Sequence, residues 1–402
     1  MKFLLGTQYF VYFAVRGIVL PFFNLFCRHL GFSGFQIGVL SSIQTAAVMI
    51  FPILWAMAAD RFNARKPIFV ICTVMASALW SLLFFTDKFL PILIILSIYS
   101  VFYAPLIAFL EAFAMEILGK DKKKYGKSRV WGTISFIIVS LIMGKVLSIY
   151  STTIIIPLIF AGMVAQSFLS LKLSVKSDKT SSPPIRQSWS DFKAFFSFKT
   201  SFFLFAAFLM LVSHGAYYGF FSIYLESLGF STNFIGFAWA VASIAEIAVM
   251  FYSDRIFTKF SLKIVLLISC AAASLRWLLL FIAEPSIAAD ALSFNYTISS
   301  NLPTLTTKTS IIILTSQILH AFTYGSFHIA SILAIDKLSP KGTTFGQAVN
   351  NAVTYGAGIM TGFFISGIFY DDFQRYIFLG SSLIALASGI IILYVKLDAK
   401  DI

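Results

Sequence analysis

The stretch Leu30-Gly31-Phe32-Ser33-Gly34-Phe35-Gln36-Ile37-Gly38 recurs half a chain later as Leu228-Gly229-Phe230-Ser231-Thr232-Asn233-Phe234-Ile235-Gly236, with six of nine positions identical. Each copy is a short break between two long apolar runs, and a unit that occurs twice at this distance implies a doubled chain. Working outward from the two copies, apolar runs long enough to span a bilayer fall near 3–26, 36–59, 67–85, 91–115, 130–149, 154–171, 200–224, 235–252, 263–283, 311–333, 345–369 and 376–395. The narrowest division is Tyr150-Ser151-Thr152-Thr153, between the fifth and sixth runs. The two repeats therefore each hold six spans. The expected fold is an all-α membrane protein of twelve transmembrane helices in two pseudo-symmetric six-helix bundles, residues 1–171 and 200–402. They are joined by a polar linker at 172–199 containing Ser181-Ser182-Pro183-Pro184.

Composition agrees. Of 402 residues, 59% are hydrophobic and 12% charged, with mean hydropathy +0.89, about half the charge of a soluble domain. A soluble fold is excluded. The net charge of +13 does not point to nucleic acid, because the basic residues sit in short segments beside apolar runs, where Lys and Arg set membrane orientation. With an even span count both termini share one side. Placing them inside puts twenty-three of the 30 Lys and Arg on inner segments, including Arg61, Arg65 and Lys66, and leaves Arg28, Lys88, Lys145, Lys308 and Arg375 outside. Cytoplasmic termini in a cytoplasmic (inner) membrane are the expectation. Cys27, Cys72 and Cys270 are too scattered for a disulfide framework or a metal cluster, and no cofactor or metal is expected. No Walker loop, His-Glu-x-x-His helix or Gly-x-Ser-x-Gly elbow is present, so an enzyme is not expected. The outer segment 284–310 is long; it reads as a surface loop or short outer helix, with a sequon at Asn295-Tyr296-Thr297.

Charges inside a bilayer cost several kcal/mol unless paired or hydrated, and each is a functional candidate. Away from span ends these are Arg16, Glu111, His214, Glu246, Arg276, His320 and His328. Arg16 lies in the middle of the first span, ahead of Pro21-Phe22-Phe23; a guanidinium in a dry cavity suits bidentate binding of a carboxylate. Glu246 in low dielectric is suited to hold a proton near neutral pH, with Arg276 or substrate tipping the balance. Pro21, Pro52, Pro105, Gly356 and Gly358 lie within spans and suit helix bending.

Each half also places an Asp-Arg pair after its second span, Asp60-Arg61 and Asp254-Arg255. Together with the doubled twelve-span layout this resembles the major facilitator superfamily, although Ala56 and Ala59 replace the glycines of that motif. The resemblance implies that Asp60, Arg61, Asp254 and Arg255 act as a conformational latch between the halves on the inner side. Within the superfamily, Tyr125-Gly126-Lys127-Ser128-Arg129-Val130-Trp131-Gly132, His214-Gly215-Ala216-Tyr217-Tyr218-Gly219-Phe220, Ala245-Glu246-Ile247, Leu275-Arg276-Trp277 and Gln317-Ile318-Leu319-His320 resemble, in order, segments of the phenylpropionate permease branch and, more distantly, of lactose permease. The resemblance implies that Glu111 and Arg129 pair near the substrate, that Phe136 stacks on it, and that Glu246, Arg276 and His320 couple binding to proton transfer. The lactose permease carboxylate three residues past the histidine is Thr323 here, so the proton must reside on Glu246, Glu111 or a histidine, or coupling is absent.

The sequence is therefore read as a secondary transporter, a functional monomer moving protons and a small organic, possibly aromatic, acid through the lipid bilayer. Substrate binding is assigned to Arg16, Glu111, Arg129, Phe136, Arg276 and His320, and proton coupling to Glu246, His320 and Glu111. A sugar or nucleoside proton symporter and a drug-efflux antiporter are the alternatives; a channel would not saturate.

Overall fold

Apolar chain in lipid must satisfy its backbone internally, and the helix does so. The computed structural model describes residues 1–119, 125–173, 195–283, 302–338, 343–395 and 397. No strand occurs among them. Twelve helices are long and apolar enough to span: α1 Lys2–His29, α2 Gly34–Arg61, α3 Arg65–Phe85, α4 Phe89–Leu118, α5 Arg129–Leu147, α6 Thr152–Lys172, α7 Phe198–Ser227, α8 Thr232–Phe251, α9 Leu262–Ile282, α10 Lys308–Leu338, α11 Phe345–Phe373 and α12 Tyr376–Tyr394. These follow the apolar runs of the sequence. The helix leading into α10 begins earlier than its apolar run, at Leu302. Most of the expected linker (174–194) and of the long outer segment with its sequon (284–301) lies outside the described residues.

The repeated stretch builds the same turn twice. Gly31 and Gly229 adopt φ +85° and +84°, a left-handed conformation that favours glycine. Ser33 and Ser231 then cap α2 and α8, accepting from the amides of Gln36 and Phe234. The last glycine of each copy has a different task. A Cβ on Gly38 would stand 2.8 Å from Gly367 Cα and from the Phe363 carbonyl, and Gly236 lies equally tight against Ser140 and Gly144. Small residues let two backbones approach this closely.

Those glycines mark two seams between the halves, α2 on α11 and α5 on α8, with α1 on α7 between them. Within each half the pairings correspond as well: α1 packs on α5 and α6, α7 on α11 and α12, α3 on α6 and α9 on α12. Call the face carrying Met1 proximal and the other distal. Among the described residues, the hydrogen bonds and ion pairs that cross between halves lie toward the distal face. Arg28 pairs with Asp371 at 2.8 Å, His29 with Glu226 at 2.8 Å, the Gly34 amide donates to Asp371 at 2.7 Å, Asn24 donates to the Gly219 carbonyl and Thr232 to the Gly144 carbonyl. The halves are thus fastened distally and part toward the proximal face, where Glu111 is exposed.

Four spans are interrupted. α4 breaks before Pro105 and α7 at Ser213-His214. α10 and α11 each widen into a π-helical segment, Ala321–Ser326 and Asn351–Gly358. Such segments concentrate at functional sites; the first packs on α8 and α9 and the second on α7 and on α2 of the other half, where Gly356 lies against Met49.

Candidate substrate site

In the C-terminal half Glu246, Arg276 and His320, grouped by the family resemblance, lie close together. Arg276 on α9 is fully buried. Its Nε donates to the Ser316 carbonyl at 3.0 Å, Nη1 to His320 Nδ1 at 2.8 Å and to Thr323 Oγ1 at 3.4 Å, and Nη2 to Gln317 Oε1 at 3.3 Å. Its guanidinium also lies 4.0 Å from the centre of the Tyr217 ring and 4.5 Å from that of Trp277. Arginine only donates. Nδ1 of His320 must therefore accept, which leaves the ring proton on Nε2, 4.0 Å from Glu246 Oε2 on α8. Gly325 lets α10 come close to Glu246, for a Cβ there would meet Glu246 Cγ at 3.3 Å. The result is a relay from Arg276 through His320 to Glu246, with Thr323 serving as a hydrogen-bond acceptor. His214 is buried, gives its Nδ1 proton to the Met210 carbonyl at 2.8 Å and leaves Nε2 without a partner. His328 contacts the Tyr355 hydroxyl at 2.7 Å.

The N-terminal half is arranged otherwise. Arg16, half-buried on α1, has no hydrogen bond or ion pair among the described residues. The groups bearing on it electrostatically are the phenols of Tyr12, Tyr103 and Tyr99 from its own half and Tyr324 from the other. Tyr103 is stacked on Tyr12 at 5.6 Å and on Tyr99 at 5.1 Å. Glu111 is not among its neighbours; that carboxylate faces Arg129 and Tyr125 instead. Arg129 makes no direct ion pair with Glu111 and lies over the Phe13 ring at 4.0 Å. It also lies within electrostatic reach of Glu246 across the gap between halves. Phe136 is buried in the seam of α5 against α1, its backbone pressed on Gly17.

The four expected latch residues do not meet. Asp60 is held by Arg65 of its own loop at 2.8 Å, and Arg61 lies over Phe62. Asp254 and Arg255 sit on a short helix, Ser253–Lys259, with Arg255 over Tyr252. This fits a proximal face that is open. The residue-level reading missed Tyr99, Tyr103, Gln317 and Tyr324, and the distal pairs of Arg28 and His29. A signal was present: Tyr12 and Arg16, Tyr99 and Tyr103, and His320, Tyr324 and His328 each recur at intervals of four, which puts them on one helix face.

The family model described as "MFS_1 like family" matches residues 3–379. The chain belongs to that family, within the major facilitator superfamily. A probable 3-phenylpropionic acid transporter of Escherichia coli (strain K12) is 26% identical over 387 residues, covering 95% of this chain and 94% of that one. Among solved structures, the nucleoside transporter NupG superposes with TM-score 0.81 at 16% identity, covering 99% of each chain. A D-xylose-proton symporter superposes with TM-score 0.67 at 12% identity, covering 99% of this chain and 98% of that one. The MFS protein described here is an integral, multi-pass secondary transporter of a small molecule and not an enzyme.

Proposed function

We propose that this MFS transporter carries a small aromatic carboxylic acid together with a proton, by rocking of residues 1–171 against residues 200–402. The observation that carries this reading is Arg16. A guanidinium inside a bilayer protein that no carboxylate among the described residues neutralises, ringed by tyrosines, is complementary to an aromatic acid: the cation takes the carboxylate and the phenol rings take the apolar body. Arg276, by contrast, has its donors engaged and acts in coupling rather than as the anion receptor. Glu246, beside His320 and within reach of Arg276 and Arg129, is the proton carrier in this scheme. The likeness to a probable 3-phenylpropionic acid transporter agrees with the substrate class. The weighting of Lys and Arg supports cytoplasmic termini, hence a proximal face on the cytoplasm, and Asp60, Arg61, Asp254 and Arg255 are poised to meet when that face closes.

A nucleoside or sugar as substrate is favoured by one observation, the Glu111 and Arg129 groups at the proximal mouth, whose hydrogen-bonding capacity suits hydroxyls. Counterflow in proteoliposomes with 3-phenylpropanoate, its amide, a nucleoside and a sugar separates the two. Exchange of the acid alone, lost in Arg16→Gln, is the expected result. Equal exchange of the amide refutes the role given to Arg16. For Glu246→Gln, exchange is expected to persist while accumulation driven by a pH gradient disappears.

A further inference from the structure

Tyr324 stands where the two halves of the site face each other. It lies in the π-helical segment of α10, whose wider turn sets its ring between two histidines at intervals of four: 5.6 Å from His320 and 6.3 Å from His328, near-parallel to both. Tyr218 and Tyr355 meet it edge-on. The ring is therefore clamped on both faces and at its edges. Its hydroxyl is not: among the described residues it has no hydrogen-bond partner, and the side chain is only partly buried. Three charged groups bear on it electrostatically, Glu246 of its own half and Arg16 and Arg129 of the other. A rigidly held phenol with an unused donor, between an acid and a cation that makes no ion pair among the described residues, has its hydroxyl available to a ligand.

We propose that Tyr324 is the C-terminal half's ligand for the substrate carboxylate, donating its hydroxyl hydrogen to one oxygen while Arg16 of the N-terminal half holds the other. The inference rests on the reading of Arg16 as the anion receptor and extends it in two ways. First, a carboxylate gripped by one residue from each half ties the halves together, so binding itself favours closure around the substrate. Second, the phenol lies within electrostatic range of Glu246. A substrate carboxylate held beside Tyr324 adds a second negative charge near Glu246, and a proton on Glu246 relieves that repulsion. Binding of acid and uptake of a proton are then linked through one phenol, in a chain whose Thr323 cannot ionise. The rest of the cluster, His320 and His328, keeps the ring fixed so that the hydroxyl alone responds.

Tyr324→Phe removes the hydroxyl and breaks no hydrogen bond among the described residues, so folding is expected to survive; an unchanged melting temperature in detergent checks this. Calorimetry with 3-phenylpropanoate in two buffers of different ionisation enthalpy reads affinity and proton exchange together. The expected result is about tenfold weaker binding of the acid in Tyr324→Phe, from loss of one charge-assisted hydrogen bond. The buffer dependence seen in the unmodified protein should also vanish, while Tyr355→Phe retains both. Acid binding unchanged in Tyr324→Phe but lost in Arg16→Gln overturns this inference and leaves the anion-receptor reading intact. Acid binding unchanged in both variants overturns the underlying reading as well. Weaker binding with proton exchange unaltered refutes the link to Glu246.

Discussion

The two halves share a fold and a turn motif yet treat their buried arginines in opposite ways. Arg276 in the C-terminal half is wired: a carbonyl, an amide oxygen, a hydroxyl and an imidazole take its donors and two aromatic rings cover its faces. Arg16 in the N-terminal half has phenols around it and no hydrogen-bond partner among the described residues. A buried cation with its donors satisfied is held in place by the protein, whereas one left open has donors available to a ligand. Under the function proposed above, the pseudo-symmetric backbone separates two tasks, holding a relay on one side and capturing an anion on the other.

The contrast breaks most sharply at Arg276. Arg276→Met strands His320, Gln317 and a buried carbonyl at once, and each buried acceptor left without a donor costs about 1–3 kcal/mol. The expected outcome is a large fall in thermal stability in detergent, whether or not substrate is present. Arg16→Gln removes no such network. Its melting temperature should stay near that of the unmodified protein while affinity for an aromatic acid falls roughly 10–100-fold, the scale of a lost hydrogen bond to a charged group. If Arg16→Gln proved the less stable of the two, the division of labour between the halves would be reversed.

How far the sequence discloses this contrast differs between fold and site. The repeat at Leu30 and Leu228, the apolar runs and the Lys and Arg bias lead directly to twelve helices, because each depends on local chemistry read one segment at a time. Arg276, His320 and Glu246 are legible as a group for the same reason that they are rare: ionisable residues in apolar spans stand out. Tyr99, Tyr103 and Tyr324 do not, since aromatic residues make up 17% of the chain and spacing alone cannot distinguish a cavity wall from packing. Nor can sequence show that Arg16 makes no hydrogen bond or ion pair among the described residues. Glu111 was an equally plausible counterion until the helices were placed, and the direction in which α4 presents it to Arg129 and Tyr125 is a property of packing.

The glycine seams allow the comparison to be sharpened at the distal face. Gly38→Val puts methyl groups where the α11 backbone now lies 2.8 Å from a Cβ position. Overpacking of this kind costs about 1–3 kcal/mol and is relieved when the seam parts. A cysteine at Thr152, which lines a distal cavity of about 270 Å³ with His29 and Glu226, is then expected to react about tenfold faster with an impermeant thiol reagent. The native cysteines are buried and should stay silent. Gly236→Val in the other seam should act in the same direction, and an effect in one seam alone would mean that the halves do not open as symmetric bodies.

The smallest difference lies in the repeated turn itself. Ser33 belongs to a reciprocal cap: it accepts from the Gln36 amide at 3.2 Å, and the Gln36 side chain accepts from the Ser33 amide at 3.0 Å. Ser231 accepts from Phe234 at 3.4 Å, and phenylalanine cannot return the bond. Loss of a serine cap costs about 0.5–2 kcal/mol, and the reciprocal arrangement satisfies two amide donors where the single cap satisfies one. Ser33→Ala should therefore lower the melting temperature more than Ser231→Ala. Gln36→Ala should reproduce part of the Ser33→Ala effect, while Phe234→Gln in the other half should add stability by completing the second box. Equal losses for the two serines would mean that the backbone turn, with its left-handed glycine, fixes the helix start on its own and that the side chains merely decorate it.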